Sequence, residues 1–245
     1  MSAAFALRAE WAKFTTLRSQ WITPLLAVLL TTGITAAVQA AYGRVDTSLT
    51  DDPAGGIYYG LLFGHVAVVC SGILLIGQEY ASGTVRASLA AVPRRGRFYA
   101  GKLLLGTGVG LVVGLLSVAG AHLATSATVG LDLGQPGAVR SIVAGVLYHP
   151  LLLVICLGAT AMLRNLTAAM GLLTPAVFLG TTFLTAVPGV REAAYFLPDR
   201  AGLYATTYRA DPAVPYGHWT GLLVMALWAA AAAWGGLVSL RRHDA

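Results

Sequence analysis

The segment from Gly96 to Leu103 comes closest to a chemical motif in this 245-residue chain. It runs Gly-Arg-Phe-Tyr-Ala-Gly-Lys-Leu and matches the phosphate-binding loop of nucleotide hydrolases at every position but the last. That last position needs the hydroxyl of Ser or Thr to hold Mg²⁺, and Leu103 has no hydroxyl. No strand pattern precedes the segment, and an apolar helix pattern follows it. We therefore expect no nucleotide site in this chain.

Histidines and cysteines inside apolar segments are the next candidates for chemistry. His65, His122 and His149 lie in or near apolar runs, without the spacing that metal sites use. Cys70 and Cys156 form neither a disulfide framework nor a metal spacing. No Gly-x-Ser-x-Gly element and no paired glutamates accompany them. We expect no catalytic residue, metal or cofactor here. The histidines are expected to be neutral and bonded to neighbours, and their role stays open.

The composition indicates which solvent surrounds the elements that position these residues. Hydrophobic residues make up 57% of the chain and charged residues 11%, whereas an ordinary soluble domain has about 25% charged residues. The mean hydropathy is +0.72. A chain with so few charges cannot cover a globule with solvated surface, so the sequence predicts an all-α membrane protein.

Apolar runs of about 20 residues are long enough to cross a bilayer as helices. The sequence predicts a bundle of six such spans, at residues 21–41, 57–77, 103–129, 141–162, 167–187 and 218–240. Together they form one transmembrane domain, 21–245, after an N-terminal segment, 1–20. The fourth and fifth spans are separated by a short turn around Arg164, which predicts an antiparallel hairpin.

The distribution of Lys and Arg predicts the orientation of the bundle. Eleven of the 16 basic residues fall on the side that holds both termini, and five fall on the other. The positive-inside rule then places both termini in the cytoplasm of a multi-pass protein of the cell membrane. Topology and anionic headgroups account for the basic excess, so we expect no nucleic-acid partner.

The N-terminal segment has the pattern of an amphipathic helix lying in the membrane interface. Leu7, Trp11 and Phe14 recur at helical spacing, while Glu10 and Lys13 lie mostly away from this apolar line. Tryptophan at headgroup depth is typical of such helices.

The loop between the second and third spans, residues 78–102, has the most specific pattern in the chain. A carboxylate, Glu79, lies just past a span, and Gly83 and Thr84 form a turn that can start a short helix at 84–92. Pro93 is expected to end that helix before a basic cluster.

This loop resembles the signature of type-2 ABC transporter permeases, in which Glu-x-x-x-Gly-Thr precedes a Leu, a Pro, one or more Arg and a Lys. The matching residues here are Glu79, Gly83, Thr84, Leu89, Pro93, Arg95, Arg97 and Lys102. The layout of an interfacial helix, six spans and cytoplasmic termini is similar to that family as well. Residues 195–198, Tyr-Phe-Leu-Pro, are similar to the external segment of bacterial antibiotic-export permeases.

The resemblance implies that the loop carries a coupling helix, which docks in a cleft of a separate cytoplasmic ATPase subunit. ATP and Mg²⁺ would be bound by that partner, and a second permease, identical or related, would complete the membrane part. The implied cargo is an amphipathic or lipid-like molecule leaving the cell. Glu79 would pair with a cation of the ATPase or anchor the start of the helix. The residues implied in coupling are Glu79, Gly83, Thr84, Arg86 and Leu89, and those implied in a basic membrane surface are Arg94, Arg95, Arg97 and Lys102.

Two other classes of protein share parts of this pattern. The binding subunit of an importer, a sensor or an immunity protein could have six spans but would not need the coupling loop. An intramembrane enzyme would need a nucleophile, base or metal ligands on facing spans.

Small residues and a long connection complete the pattern. Gly106, Gly110 and Gly114 share one face of the third span, which permits close helix approach either inside the bundle or at a subunit seam. The outer connection, 188–217, is long enough to carry short helices that dip into the bundle or cap the transport pathway.

Overall fold

A computed structural model describes residues 3–42, 52–92, 94–128, 130, 133–180, 183–184, 187 and 189–242. All the regular structure assigned in these ranges is helical. The α-helices are α1 (Ala3–Thr16), α2 (Arg18–Tyr42), α3 (Pro53–Ile57), α4 (Leu61–Ser82), α5 (Val85–Ala91), α6 (Arg95–Thr128), α7 (Ala138–Leu163), α8 (Leu166–Pro175), α9 (Arg191–Ala194), α10 (Pro198–Thr206) and α11 (His218–Arg242).

Among the described residues, five helices are long and apolar enough to cross a membrane: α2, α4, α6, α7 and α11. They overlap five of the six predicted spans. Helices α2 and α7 extend their spans at both ends, α4 begins four residues later and ends five residues later than predicted, and α6 begins eight residues earlier. The helical class and the multi-pass membrane character follow from these five helices.

The fifth predicted span, 167–187, has a different form. Its helix α8 begins at Leu166, where the Asn165 side chain accepts a hydrogen bond from the N–H of Ala168. The helix continues to Pro175 and is followed by one π-helical turn, Ala176–Gly180. Proline has no backbone N–H, so Pro175 cannot donate a hydrogen bond within the helix. A change of helix type directly after Pro175 agrees with this. Residues 181–182, 185–186 and 188 lie outside the described residues.

The centre of the bundle is α7, which packs against α4, α6 and α11. Tyr148, Leu152, Cys156 and Leu157 on this helix are all fully buried. A helix as apolar as α7 is expected at the core of a bundle, because neighbouring helices cover most of its surface.

The glycine face of the third predicted span lies against α7. A Cβ atom added at Gly110 would lie 2.5 Å from the Cα of Pro150, and one at Gly114 would contact the backbone of Val146. Gly106 faces the side chain of Leu153. The three glycines therefore bring α6 close to α7 inside this chain.

One end of the bundle holds most of the basic residues. At this end, Arg95 Nη1 donates to the carbonyl of Leu240 at 2.7 Å, and the Arg164 guanidinium lies 5.9 Å from the ring centre of Tyr80. We call this the basic end. Its basic residues are Arg8, Lys13, Arg18, Arg86, Arg94, Arg95, Arg97, Lys102, Arg164, Arg241 and Arg242. Helix α1 and the last turn of α11 both lie there, so the first and last described helices share one end.

At the opposite end, α10 packs against α7 and α11. Arg140 donates hydrogen bonds to the carbonyls of Ala205, at 2.9 Å, and Thr207, at 2.7 Å. These bonds occupy carbonyls at the C-terminal end of α10, which the helix itself leaves unpaired. The predicted outer connection thus contains a short helix held inside the bundle, and α10 carries the buried residue Asp199.

Candidate functional site

The turn between α4 and α5 has the conformation that its glycine favours. Gly83 has φ 70°, a left-handed conformation that suits glycine, and its N–H donates to the carbonyl of Tyr80 at 3.3 Å. Thr84 occupies the N-cap position of α5, but its hydroxyl pairs with Ser82 Oγ at 2.8 Å instead of capping the helix. Gly83 therefore forms the turn, and Thr84 ties it to α4.

Helix α5 is two residues shorter than the predicted helix, 84–92. It runs from Val85 to Ala91, and the N–H of Val92 closes the last turn on the carbonyl of Ser88 at 3.0 Å. Pro93, which was expected to end it, lies outside the described residues.

The two faces of α5 differ in exposure. Val85 is buried, as is Val92 just after the helix, and Leu89 is half-buried. The exposed residues of the helix are Arg86, Ala87, Ala90 and Ala91. The solvent-facing surface is therefore made almost entirely of alanines, with one arginine.

Four charged side chains meet beside α5. Glu79 Oε1, at the end of α4, accepts hydrogen bonds from the ammonium groups of Lys13 and Lys102, each at 2.7 Å. Glu10 pairs with the same two lysines. Its Oε1 atom lies 3.1 Å from the Lys13 ammonium, and its Oε2 atom lies 2.8 Å from the Lys102 ammonium. We call Glu10, Lys13, Glu79 and Lys102 the charge cluster. It connects α1, α4 and α6.

Both ammonium groups in the charge cluster have used all their donors. Lys13 gives its third hydrogen bond to Ser88 Oγ on α5 at 3.1 Å, and Lys102 gives its third to the carbonyl of Leu75 at 2.8 Å. An ammonium group has three donors, so each lysine is saturated. Through Ser88, the charge cluster also holds α5.

Burial makes these pairs strong determinants of local structure. Lys102 is 1% exposed, Glu10 5% and Glu79 7%. Two carboxylates and two ammonium groups have no net charge, which lowers the cost of removing them from water. The Lys102 ammonium also lies 5.1 Å from the ring centre of Phe98.

The pKa of Lys13 lies above its ordinary value of 10.5. Burial alone would lower this pKa, but the hydrogen bond to Glu79 and the negative charges of Glu10 and Glu79 outweigh that effect. Lys13 is therefore charged at neutral pH, as the geometry of the charge cluster requires.

In the described part of the chain, an unpaired carboxylate oxygen and a cavity lie beside the charge cluster. Glu79 Oε2 is buried and has no hydrogen-bond partner among the described residues. A cavity of about 230 Å³ separates α1 from α5 and is lined by Ala9, Glu10, Lys13, Ala87, Ser88, Ala91, Val92 and Phe98.

The structure places Lys102 differently from the sequence expectation. The resemblance implies a place in a basic membrane surface, but the Lys102 ammonium is buried in the charge cluster, because two carboxylates and a carbonyl solvate it there. Arg94 and Arg97 are exposed at the basic end, and Arg95 reaches across to α11. Residues 96–103, which nearly match a phosphate-binding loop, lie in the first turns of α6.

The ion pairs that Glu79 makes lie within this chain. Its Oε1 atom is already paired with the ammonium groups of Lys13 and Lys102 and needs no cation from a partner protein. Sequence reasoning missed Glu10 and Lys13, which it placed on the polar face of an interfacial helix. The signal was present in their spacing, since an acid and a base three residues apart lie on one side of a helix.

No protein-family model and no curated protein matches this chain. Within the described ranges, no group of three or more His, Cys, Asp or Glu residues has the arrangement of a metal site.

Proposed function

We propose that this chain is the permease subunit of an ABC exporter and that α5 is its coupling helix. The observation that carries the proposal is the attachment of α5 to the charge cluster through the hydrogen bond from Lys13 to Ser88. Together with the ordered pattern from Glu79 to Lys102, it supports a helix built to receive a partner and to transmit its movement.

Transmission follows from the bonds of the charge cluster. A displacement of α5 pulls on Lys13, which is bonded to Glu79 at the end of α4. Glu79 is bonded in turn to Lys102 near the start of α6. Because the Glu79–Lys102 pair is buried and both lysines have used all their donors, separating these contacts is costly, and the helix ends move together. Two long membrane helices are thereby connected to one exposed helix.

The exposed face of α5 suits a cleft in a partner protein. Ala87, Ala90 and Ala91 have small side chains, so another backbone can approach the helix closely. Arg86 adds a positive charge at the edge of the same face. In this arrangement a cytoplasmic ABC ATPase binds ATP and Mg²⁺, and the chain described here supplies no part of that nucleotide site.

The contacts of α8 support a sixth crossing. Leu166 lies beside Gly77 near the end of α4, and Phe178 lies 6.1 Å from Phe63 near its start, measured between ring centres. The run from 166 to 180 thus follows α4 in the antiparallel direction over most of its length. Six crossings place both termini on one side.

The basic end is the cytoplasmic side in this proposal. The positive-inside rule favours the side with eleven basic residues, and α5 must face the cytoplasm to meet an ATPase. Helix α1 then lies in the interface, where exposed Leu7 and Trp11 contact lipid while Glu10 turns inward to the charge cluster.

The cargo proposed is an amphipathic or lipid-like molecule, and the complete exporter has a second permease, identical or related. An apolar cavity of about 700 Å³ lies between α6, α7 and α11, and Trp219 and Thr107 are among its lining residues. Such a lining favours an apolar solute over a charged one.

Co-purification tests the proposal. The chain is produced together with the products of its neighbouring genes, and any ABC ATPase retained by the tagged chain is measured. Ala90→Trp enlarges an exposed residue of α5, and Ala213→Trp is the matched control at the opposite end, where Ala213 is also exposed. We expect the wild type and the control to retain the ATPase and Ala90→Trp to lose most of it.

Two results would contradict this function. If no ATPase is retained by the wild type, the chain belongs to one of the other classes, such as an importer binding subunit, a sensor or an immunity protein. If Ala90→Trp retains as much ATPase as the control, α5 is not the docking helix.

A further inference from the structure

Four polar side chains meet inside the bundle, far along α4 from the charge cluster. They are His65 on α4, Tyr148 and His149 on α7, and Asp199 on α10. None is more than 2% exposed. We call them the histidine–aspartate cluster. Burying an ionisable group among membrane helices costs free energy, so several such groups together suggest a function.

The geometry holds an imidazole beside a carboxylate. The Tyr148 hydroxyl donates a hydrogen bond to Asp199 Oδ1. The His65 ring stacks on the Tyr148 ring, with 4.2 Å between ring centres and 14° between planes. His65 Nδ1 then lies 3.9 Å from Asp199 Oδ1. That distance is too long for a hydrogen bond and short enough to become one after a shift of about 1 Å.

Both histidines have ring nitrogens that lack a hydrogen-bond partner among the described residues. Neither ring nitrogen of His65 has a hydrogen-bond partner among the described residues. His149 Nδ1 lies 2.9 Å from the carbonyl of Gly145. A carbonyl can only accept, so Nδ1 carries the hydrogen and a neutral ring has its lone pair on Nε2. That Nε2 is also buried without a partner in the described part of the chain. Since buried polar groups are nearly always paired, these atoms need an explanation.

We propose that His65 and Asp199 form a proton-binding site. One proton taken from water is shared between Nδ1 of His65 and Oδ1 of Asp199, and the combined charge of the two side chains changes from −1 to 0. An N–H or O–H bond forms on the pair and one O–H bond of a hydronium ion breaks, so no other reactant is needed. The shared proton turns the 3.9 Å approach into a charge-assisted hydrogen bond.

The surroundings of the pair contain further titratable groups. Tyr148, His149 and Cys156 face it from α7, and Cys70 on α4 lies close to Cys156. The ring centres of His65 and His149 are 6.2 Å apart. A proton on His149 would repel one on His65, so the site takes a single proton at a time.

Proton binding joins two elements of the fold. Asp199 belongs to α10, the short helix inside the opposite end of the bundle, and His65 belongs to α4, which ends next to Glu79. The protonated pair holds α10 against α4. This inference does not depend on the proposed transport function, because it concerns contacts within this chain alone.

Nitrogen NMR of the full chain in lipid nanodiscs tests the proposal. The five histidines are labelled with ¹⁵N, and the His65 signal is assigned by its loss in His65→Gln. We expect this signal to change with pH in the wild type, because the pair binds one proton. In Asp199→Asn, which removes the negative charge and keeps an oxygen for Tyr148, the midpoint should fall by about 1 to 3 pH units.

His122 provides the internal control. It lies on α6, its Nδ1 contacts the carbonyl of Val118 at 2.9 Å as that of His149 contacts Gly145, and its ring packs edge-on against Tyr58 with 5.8 Å between ring centres. Its signal should be the same in wild type and Asp199→Asn. A His65 signal that does not titrate in the wild type would overturn the proposal without any variant. An unchanged His65 midpoint in Asp199→Asn would overturn it as well.

Discussion

The ammonium of Lys102 lies 2.7 Å from Glu79 Oε1, and both residues are almost completely buried at the basic end of the bundle. This pair joins the end of α4 to the start of α6 across the short helix α5. The connection is the physical basis of the proposed coupling, because a buried ion pair resists separation.

Removing the lysine should leave two buried carboxylates with one cation. We expect Lys102→Met to lower the free energy of unfolding by about 3 to 5 kcal/mol, the usual cost of an uncompensated buried charge. Arg94→Met is the control, because Arg94 is exposed at the same end, and it should change stability by less than about 0.5 kcal/mol. Thermal unfolding in detergent compares them, and equal losses would show that Lys102 is not held by the charge cluster.

Neutralising both partners should lower the free energy of unfolding by less than the sum of the two single changes. In Glu79→Gln with Lys102→Met, no net charge is left uncompensated beside Glu10 and Lys13. A double-mutant cycle on the free energy of unfolding should give a coupling of about 0.5 to 3 kcal/mol. A coupling of zero would mean that the 2.7 Å contact contributes nothing specific.

The raised pKa of Lys13 predicts the pH at which its contribution disappears. A group whose pKa is higher in the folded state stabilises fully below its unfolded pKa, here 10.5, and loses this effect as the pH rises through the folded pKa. The difference in melting temperature between wild type and Lys13→Met should stay constant up to about pH 10 and shrink above it. A difference that shrinks below about pH 9 would contradict the assignment.

Two glycines on α6 should respond oppositely to alanine. A Cβ at Gly110 would lie 2.5 Å from Pro150 Cα, whereas one at Gly108 would meet nothing within 4 Å. Gly110→Ala should therefore destabilise the protein by about 1 to 3 kcal/mol through overpacking. Gly108→Ala should stabilise it by about 0.5 to 1 kcal/mol, because alanine favours the helix. Melting temperatures of the two variants decide, and equal effects would refute the close packing of α6 on α7.

Hydrophobic runs were sufficient to predict the long helices of this fold. Helices α2, α4, α6, α7 and α11 lie where length and apolar content place them. The segment after Leu166 was harder, because Pro175 and the π-helical turn that follows it interrupt a run that is apolar throughout. Hydropathy has no term for such a change of helix type.

Charged residues were predicted less well than apolar ones. Lys102 has the same composition signal as the exposed Arg97, and only the fold shows that α1 brings Glu10 to meet it. The same reason explains why Asp199 was missed. Its partners, Tyr148 and His65, are distant in sequence and come together only after α10 enters the bundle.

Cysteine cross-linking tests most directly whether α5 docks on an ABC ATPase. The two native cysteines, Cys70 and Cys156, lie within α4 and α7 and are replaced by alanine for this experiment. Ala90→Cys then places a reactive thiol on the exposed face of α5, and Ala213→Cys places one at the opposite end. We expect a cross-link to the ATPase from position 90 and none from position 213. No cross-link from position 90, in a complex that still co-purifies, would contradict this docking.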